Sequence, residues 1–375
     1  MPIMQLYNQR GITIEKGRGA IVWDDNGKEY IDCVGGIAVA SIGHGNEEVA
    51  RSLYEQAIKI TTVSGAFGNN TREEFAKLME SILPTGVNNI YLCNSGTEAI
   101  EAAIKFSRYS TKKKKIISAV RGFHGRTMGA LSATYNPEYK EPFTPLLEGF
   151  IHVPYNSTSK LVEAFDDDIA ALILEPIQGE GGIIMGEKEY FKKARELCDK
   201  HGTILVYDEV QTGFCRTGTM FYTEQLGVNP DILCLGKGIA GGFPMGATVC
   251  NDKIMVPKGK HGTTFGGSPL GCAAGIATID YMLHKKLALE AQRKGRMLIE
   301  GLISIRSDKI RDVRGKGLLI GIELKEKAKP YIDELSQKGI LTMPTGPRII
   351  RLLPPLVIED EQVLTVIRAI REVLS

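Results

Sequence analysis

Through the middle of the chain, short apolar runs alternate with stretches in which apolar residues recur at helical spacing. The runs Ile90–Cys93, Ile116–Ala119, Ile151–Val153, Ala170–Leu174, Thr203–Tyr207, Ile232–Leu235 and Ala247–Cys250 read as strands. Those at 170–174, 203–207 and 232–235 are apolar almost throughout, the pattern of strands covered on both faces. Thr97–Ser110, Ser159–Phe165 and Glu187–His201 carry the helical period. This alternation predicts an α/β domain with a mostly parallel sheet, seven-stranded if every run joins it. Ligands in such sheets sit beyond the carboxyl ends of the strands, so the residues that follow each strand matter most.

The flanks differ. Before about residue 50 the chain is rich in strands and turns, including Asp24-Asp25-Asn26-Gly27. After about residue 280 a long helical stretch leads to Gly317–Leu324, a helix near 329–338, the run Arg348–Ile358 and a final helix from about 360. These limits divide the chain into an N-terminal segment (1–50), a large central domain (51–280) and a small α+β C-terminal domain (281–375). The N-terminal segment is expected to belong to the small domain. Lys112–Lys115 and Asp166–Asp168 read as solvated turns.

Composition narrows the class without choosing a function. With 43% hydrophobic and 24% charged residues, the 375-residue chain reads as an ordinary soluble protein. A net charge of +2 and a pI near 8.0 are too mild to imply nucleic acid. No apolar run is long enough to cross a bilayer, and Met1-Pro2-Ile3-Met4-Gln5-Leu6-Tyr7 lacks the zones of a signal peptide. Seven cysteines occur singly, with no CxxC, which points to reduced thiols in a cytoplasmic protein and away from zinc.

Three strand ends carry candidate chemistry. Asn94-Ser95-Gly96-Thr97-Glu98 follows a strand and opens a helix, an arrangement suited to a phosphate; taken alone, Ser95 or Thr97 as a plain N-cap accounts for it better. Asp208-Glu209 ends a hydrophobic strand, where carboxylates are costly unless a cation offsets them. A metal could serve, but no histidine lies nearby in the sequence to complete its ligands. A protonated pyridine nitrogen serves equally well, and Asp208 is assigned that partner. Glu209, alternating to the other face, should point away. Lys237 emerges between Gly236 and Gly238 directly after a buried strand, a costly place for an idle ammonium and a useful one for a Schiff base and general base. Gly236-Lys237-Gly238-Ile239-Ala240-Gly241 also matches GxGxxG, but Gly242-Phe243-Pro244 breaks the helix that a dinucleotide site needs.

Together these strand ends resemble the fold-type I pyridoxal 5′-phosphate (PLP) enzymes, specifically the class III ornithine/acetylornithine-type aminotransferases. The similarity runs from Gly17-Arg18-Gly19 to Arg351-Leu352-Leu353-Pro354-Pro355. It implies that Lys237 holds the cofactor covalently and that Ser95, Gly96 and Thr97 cup its phosphate. It further implies that Phe123 stacks on its ring, that Val210 packs beneath, and that Gln211 lies near the phenolic oxygen. Thr264 would reach the phosphate of a neighbouring subunit, which requires a homodimer with shared active sites.

The resemblance also implies how one pocket takes two substrates. Arg126, with Thr263 nearby, would bind the distal carboxylate of either substrate, and Arg351 the α-carboxylate of glutamate. Glu180 would cover Arg351 when no such carboxylate is present. The acceptor is expected to be 2-oxoglutarate. Ile37, where ornithine δ-aminotransferases typically carry an aromatic residue, fits an acylated substrate better, with core packing as the plain alternative. Several stretches look closest to enzymes acting on lysine or ornithine attached to a small acidic amino-group carrier protein, in lysine or arginine biosynthesis. Lys258 and Lys260, beside His261–Thr264 in the sequence, would then form part of a docking rim or simply a solvated loop. The rivals are a free N-acetylornithine aminotransferase and, from another reaction class, a PLP aminomutase or decarboxylase.

Overall fold

The computed structural model describes residue 4 and residues 6–375. Met1, Pro2, Ile3 and Gln5, part of the stretch read as lacking a signal peptide, lie outside the described residues. All seven apolar runs join one sheet, in the order Asn89–Cys93, Gly246–Cys250, Ile232–Leu235, Ile204–Asp208, Ile169–Leu174, Lys115–Ala119 and Phe150–Val153. Gly246–Cys250 runs antiparallel to both neighbours, and every other pairing is parallel.

Strand alternation sorts the side chains onto two covered faces. Ile116, Ile173, Val206 and Cys234 pack with Ile100, Ala103 and Ile104 of the helix Gly96–Thr111. Ile117, Leu172, Leu205 and Leu233 belong to the other cluster, with Tyr190, Phe191 and Leu197 of the helix Lys188–His201. The rows at Ile169–Leu174, Ile204–Asp208 and Ile232–Leu235 are buried throughout. Burial on both faces explains why these strands read as unbroken apolar runs.

Two four-stranded sheets and the two-stranded pair Ile177–Gln178 with Ile184–Met185 accompany this one. Ile14–Arg18, Ile21–Asp24 and Glu29–Asp32 form a meander whose last strand pairs in parallel with Ile340–Leu341. The other sheet has the order Ile310–Lys316, Leu319–Leu324, Ile349–Leu352, Met343–Pro344. Its first strand escaped the pattern because Ile310-Arg311-Asp312-Val313-Arg314-Gly315-Lys316 is charged and only half-buried. The helical stretch after 280 belongs to two helices, Pro269–His284 and Leu287–Ile303, separated where Lys286 turns left-handed at φ 53°. Gly35, Gly36, Ile37 and Ala38 form a left-handed turn with φ of 56°, 61°, 65° and 63°. Such a conformation is strained at β-branched Ile37. Asp32 Oδ1 accepts the N–H groups of Val34 and Gly35 at 2.8 and 2.9 Å and holds the entry to this turn. No helix among the described residues is long and apolar enough to cross a membrane.

Candidate active site

The strand Asn89–Cys93 passes directly into the helix Gly96–Thr111, with Ser95 as N-cap: its Oγ accepts from Glu98 N at 3.3 Å. The cap leaves the first N–H groups, at Gly96 and Thr97, without intrahelical acceptors, and the positive end of the helix adds to their attraction for an anion. Thr97 Oγ1 lies 2.8 Å from Thr127 Oγ1, which ties this cup to the turn carrying Arg126. There is no room here for a larger residue than glycine. A Cβ on Gly96 would stand 2.5 Å from Val210 Cγ1, and one on Gly236 would stand 3.2 Å from Gly96 N.

Asp208 ends the next strand and is buried. Its Oδ1 accepts from Val210 N at 3.1 Å and its Oδ2 lies 2.8 Å from His124 Nδ1. The expectation that no histidine stands near this carboxylate is therefore corrected: His124 is 84 residues away in the chain but in contact in the fold. Burial disfavours a charged His124. The hydrogen bond and charge of Asp208, with the charge of Glu175, outweigh it and hold the imidazole above its usual range. Glu209 points away, as expected, but its partners are not cations. It accepts from Thr223 N, Tyr222 N and the hydroxyls of Thr223 and Thr212 at 2.6–2.9 Å.

Lys237 follows the central strand Ile232–Leu235 in a left-handed conformation, φ 47°, between its two glycines. Burial pulls its ammonium below the usual lysine range. Glu180, Asp208 and Glu175 act against that shift and Arg351 adds to it, so these groups all face Lys237 through space. Arg351 is 2% exposed and pairs with the Glu180 carboxylate. Its Nε is buried without a partner among the described residues, a donor that a further carboxylate would satisfy.

Phe123 is half-buried, and its N–H donates to Glu175 Oε1 at 2.9 Å; Gly179 N donates to Oε2 at 3.1 Å. Burial pushes the Glu175 carboxyl well above the carboxylate range. The Arg126 residue is exposed, with its guanidinium carbon over Tyr139, 3.8 Å from that ring centre and 5.6 Å from that of Phe123. Thr263 Oγ1 accepts from Asn94 Nδ2 at 3.2 Å, beside the Ser95 cap. Gln211 is buried, with Oε1 unpartnered among the described residues and packed against Gly179. Thr264, Lys258 and Lys260 are exposed on this chain.

The residues present suit PLP. Asp208, with one oxygen on His124 and one on Val210 N, keeps lone pairs for a ring N–H. The two glycines at 96 and 236 let the Val210 side chain pack closely between them as an apolar floor, and the helix end offers N–H groups to a phosphate. His124, Glu175 and Tyr139 are the members that motif reading missed. A partner for a buried Asp208 was the available signal for His124, and none existed for Tyr139. Cavities of about 700 and 750 Å³ lie against the N-terminal strands and contain none of these residues, so cavity size alone would misplace the site.

Residues 5–374 match the family model described as class-III aminotransferase. An acetylornithine aminotransferase of Methanosarcina mazei is 43% identical over 99% of this chain and 93% of its own length. A LysW-aminoadipate semialdehyde transaminase of Deinococcus radiodurans is 44% identical over 99% of this chain and 87% of its own. The ornithine aminotransferase of Toxoplasma gondii, in a structure with PLP at partial occupancy, superposes with TM-score 0.95 at 34% identity, covering 100% of this chain and 91% of that one. With a family match that spans nearly its whole length, this chain belongs to the class-III aminotransferases and is a PLP-dependent transaminase.

Proposed function

We propose that the enzyme moves the terminal amino group of carrier-linked lysine or ornithine to 2-oxoglutarate, leaving a semialdehyde and glutamate, in lysine or arginine biosynthesis. The observation that carries this reading is the Arg351–Glu180 pair beside Lys237. A pocket that must admit a chain with no carboxylate beside its reacting amine and, in turn, a dicarboxylate that has one there needs a cation that can be covered and uncovered. Glu180 covers it. Arg126, exposed and held over the Tyr139 ring, would take the carboxylate at the far end of either substrate.

Lys237, Asp208, Gly96, Thr97, Phe123, Val210 and Gln211 would hold the cofactor, with Ser95 capping the helix that offers its N–H groups. Bound PLP supplies the electron sink that makes the proton on the amine-bearing carbon removable. Lys237 Nζ, held below the usual lysine range by burial, would take that proton and return it. His124 would hold Asp208 ionised and oriented. Thr263 would steady Asn94 at the rim of the phosphate cup.

A homodimer belongs to the same proposal. Exposed Thr264 would complete the cup of a second copy, and Ile58, Phe67 and Phe265, between 64 and 69% exposed, give such a copy apolar surface to cover. Seven buried free thiols suit a reducing, cytoplasmic setting. The carrier-linked substrate draws support from the Deinococcus relative, with Lys258 and Lys260 as a docking rim for an acidic partner.

A second reading, free N-acetylornithine as amine donor, is favoured by the equally similar Methanosarcina relative. Turnover of carrier-linked lysine, carrier-linked ornithine and N-acetylornithine with 2-oxoglutarate separates the two. The proposal expects kcat/KM for a carrier-linked donor to exceed that for N-acetylornithine by at least about tenfold. The opposite order selects the second reading, and no glutamate from any donor contradicts both.

A further inference from the structure

One hairpin holds Glu180 at two points. Met343–Pro344 pairs antiparallel with Ile349–Leu352, and from the second arm Arg351 reaches the Glu180 carboxylate. From the turn between the arms, Thr345 Oγ1 lies 2.7 Å from Glu180 O and 3.2 Å from Gly179 O. A hydroxyl has one proton to give, and the nearer carbonyl, that of Glu180, takes it. Thr345 is 1% exposed, and its N–H donates to Ile349 O at 3.1 Å, which fixes the turn.

The rest of the Glu180 loop has little slack. Arg314 Nη2 and Nε donate to Gly182 O at 2.7 and 3.0 Å, while its Nη1 pairs with Glu323 at 2.6 Å. A Cβ on Gly179 would stand 2.1 Å from Gln211 Oε1, and one on Gly182 would stand 2.7 Å from Ile349 Cδ1. The loop is thus clamped by the same sheet that carries Arg351.

We infer that Thr345 is a positioning residue that sets how readily Glu180 leaves Arg351, and through it the balance between the two half-reactions. This rests on the reading of Glu180 and Arg351 as a carboxylate gate. With its carbonyl pinned, Glu180 can release Arg351 only by turning its side chain. Without the pin, the Glu180 carbonyl loses its donor and the loop can shift as a body, so an incoming carboxylate displaces Glu180 at lower cost. The same loosening leaves Arg351 less fully covered when an amine donor occupies the pocket.

Glutarate, a dicarboxylate with no reacting group, probes the gate without turnover. Calorimetric affinity for glutarate is measured on holoenzyme of the wild type, E180A, T345V, T345A and T345S, alongside KM and kcat of each half-reaction. E180A and T345V are each expected to tighten glutarate by roughly fivefold and to raise the amine-donor KM with kcat kept, while T345S behaves as wild type. T345A gives the same reading should the valine variant fail to fold. If E180A tightens glutarate and neither T345V nor T345A does, the clamp is overturned and the gate stands. If E180A itself leaves glutarate binding unchanged, the gate is wrong and the inference falls with it.

Discussion

His124 Nδ1 lies 2.8 Å from Asp208 Oδ2, with both side chains buried at the carboxyl end of the strand Ile204–Asp208. On the proposed reading, a single carboxylate would face two ways, towards this imidazole and towards the ring nitrogen of bound PLP. Replacing Asp208 by Asn removes the charge and keeps the shape. Steady-state kinetics of D208N should show kcat lower by at least about a thousandfold, because the electron sink needs a protonated ring. His124→Asn should cost less, about ten- to a hundredfold, by leaving Asp208 free to turn. A D208N enzyme of near wild-type activity would remove the ring-nitrogen assignment.

Lys237 predicts a covalent signature. Borohydride treatment followed by intact mass measurement should fix one cofactor to the wild-type chain and none to Lys237→Ala. Digestion should place the added mass on the peptide containing Lys237. Retention of cofactor by the reduced K237A chain would contradict the assignment.

The floor of the phosphate cup predicts a steric effect. Gly96→Ala would put a methyl group 2.5 and 2.7 Å from the two Val210 methyls, closer than carbon atoms approach. Val210 must move, and a cofactor ring packed on it, as proposed, would be displaced with it. Cofactor content after dialysis should fall for G96A and recover in part in G96A/V210A. Full retention in G96A would show that neither residue touches the cofactor's space.

His152 gives a pH dependence. Ser118 Oγ donates to Ala133 O at 2.7 Å, so His152 Nδ1–H donates to Ser118 Oγ at 2.9 Å and Lys140 Nζ donates to Nε2 at 2.9 Å. Burial, with the charges of Lys140 and His124, pushes the imidazole down to about 4. Between that value and the ordinary histidine range the unfolded chain binds a proton that the folded one refuses. Stability is therefore complete above about pH 6.5 and falls as pH drops towards 4. Thermal midpoints of His152→Asn, compared with wild type across this range, should show a shallower acid limb. Parallel acid limbs would mean that His152 is not held neutral.

The elements most legible in the sequence were those whose residues are buried on both faces. The apolar runs at 170–174, 203–207 and 232–235 fall within a residue of the observed strands because burial on both faces keeps nearly every position apolar, with polar residues confined to the strand ends. Ile310–Lys316 was invisible because one edge strand tolerates three basic side chains. The break at Lys286 and the left-handed turn through Ile37 are enforced by tertiary packing against local preference. In the site, residues adjacent to strand ends could be found, and Glu175 directly after Ile169–Leu174 was within that reach though passed over, whereas Tyr139 and Thr345 join the site only in three dimensions. Thr345 sits 165 residues from the carbonyl it holds, and no periodicity encodes that.

The central claim is that one pocket serves two substrates because Arg351 is covered by Glu180 until a carboxylate arrives. Single-turnover rates of the two half-reactions of Arg351→Ala, one with glutamate and one with the amine donor, test it most directly. The account predicts a loss in kcat/KM of about a hundredfold or more for glutamate and less than about tenfold for the amine donor. Equal losses in the two halves would contradict it.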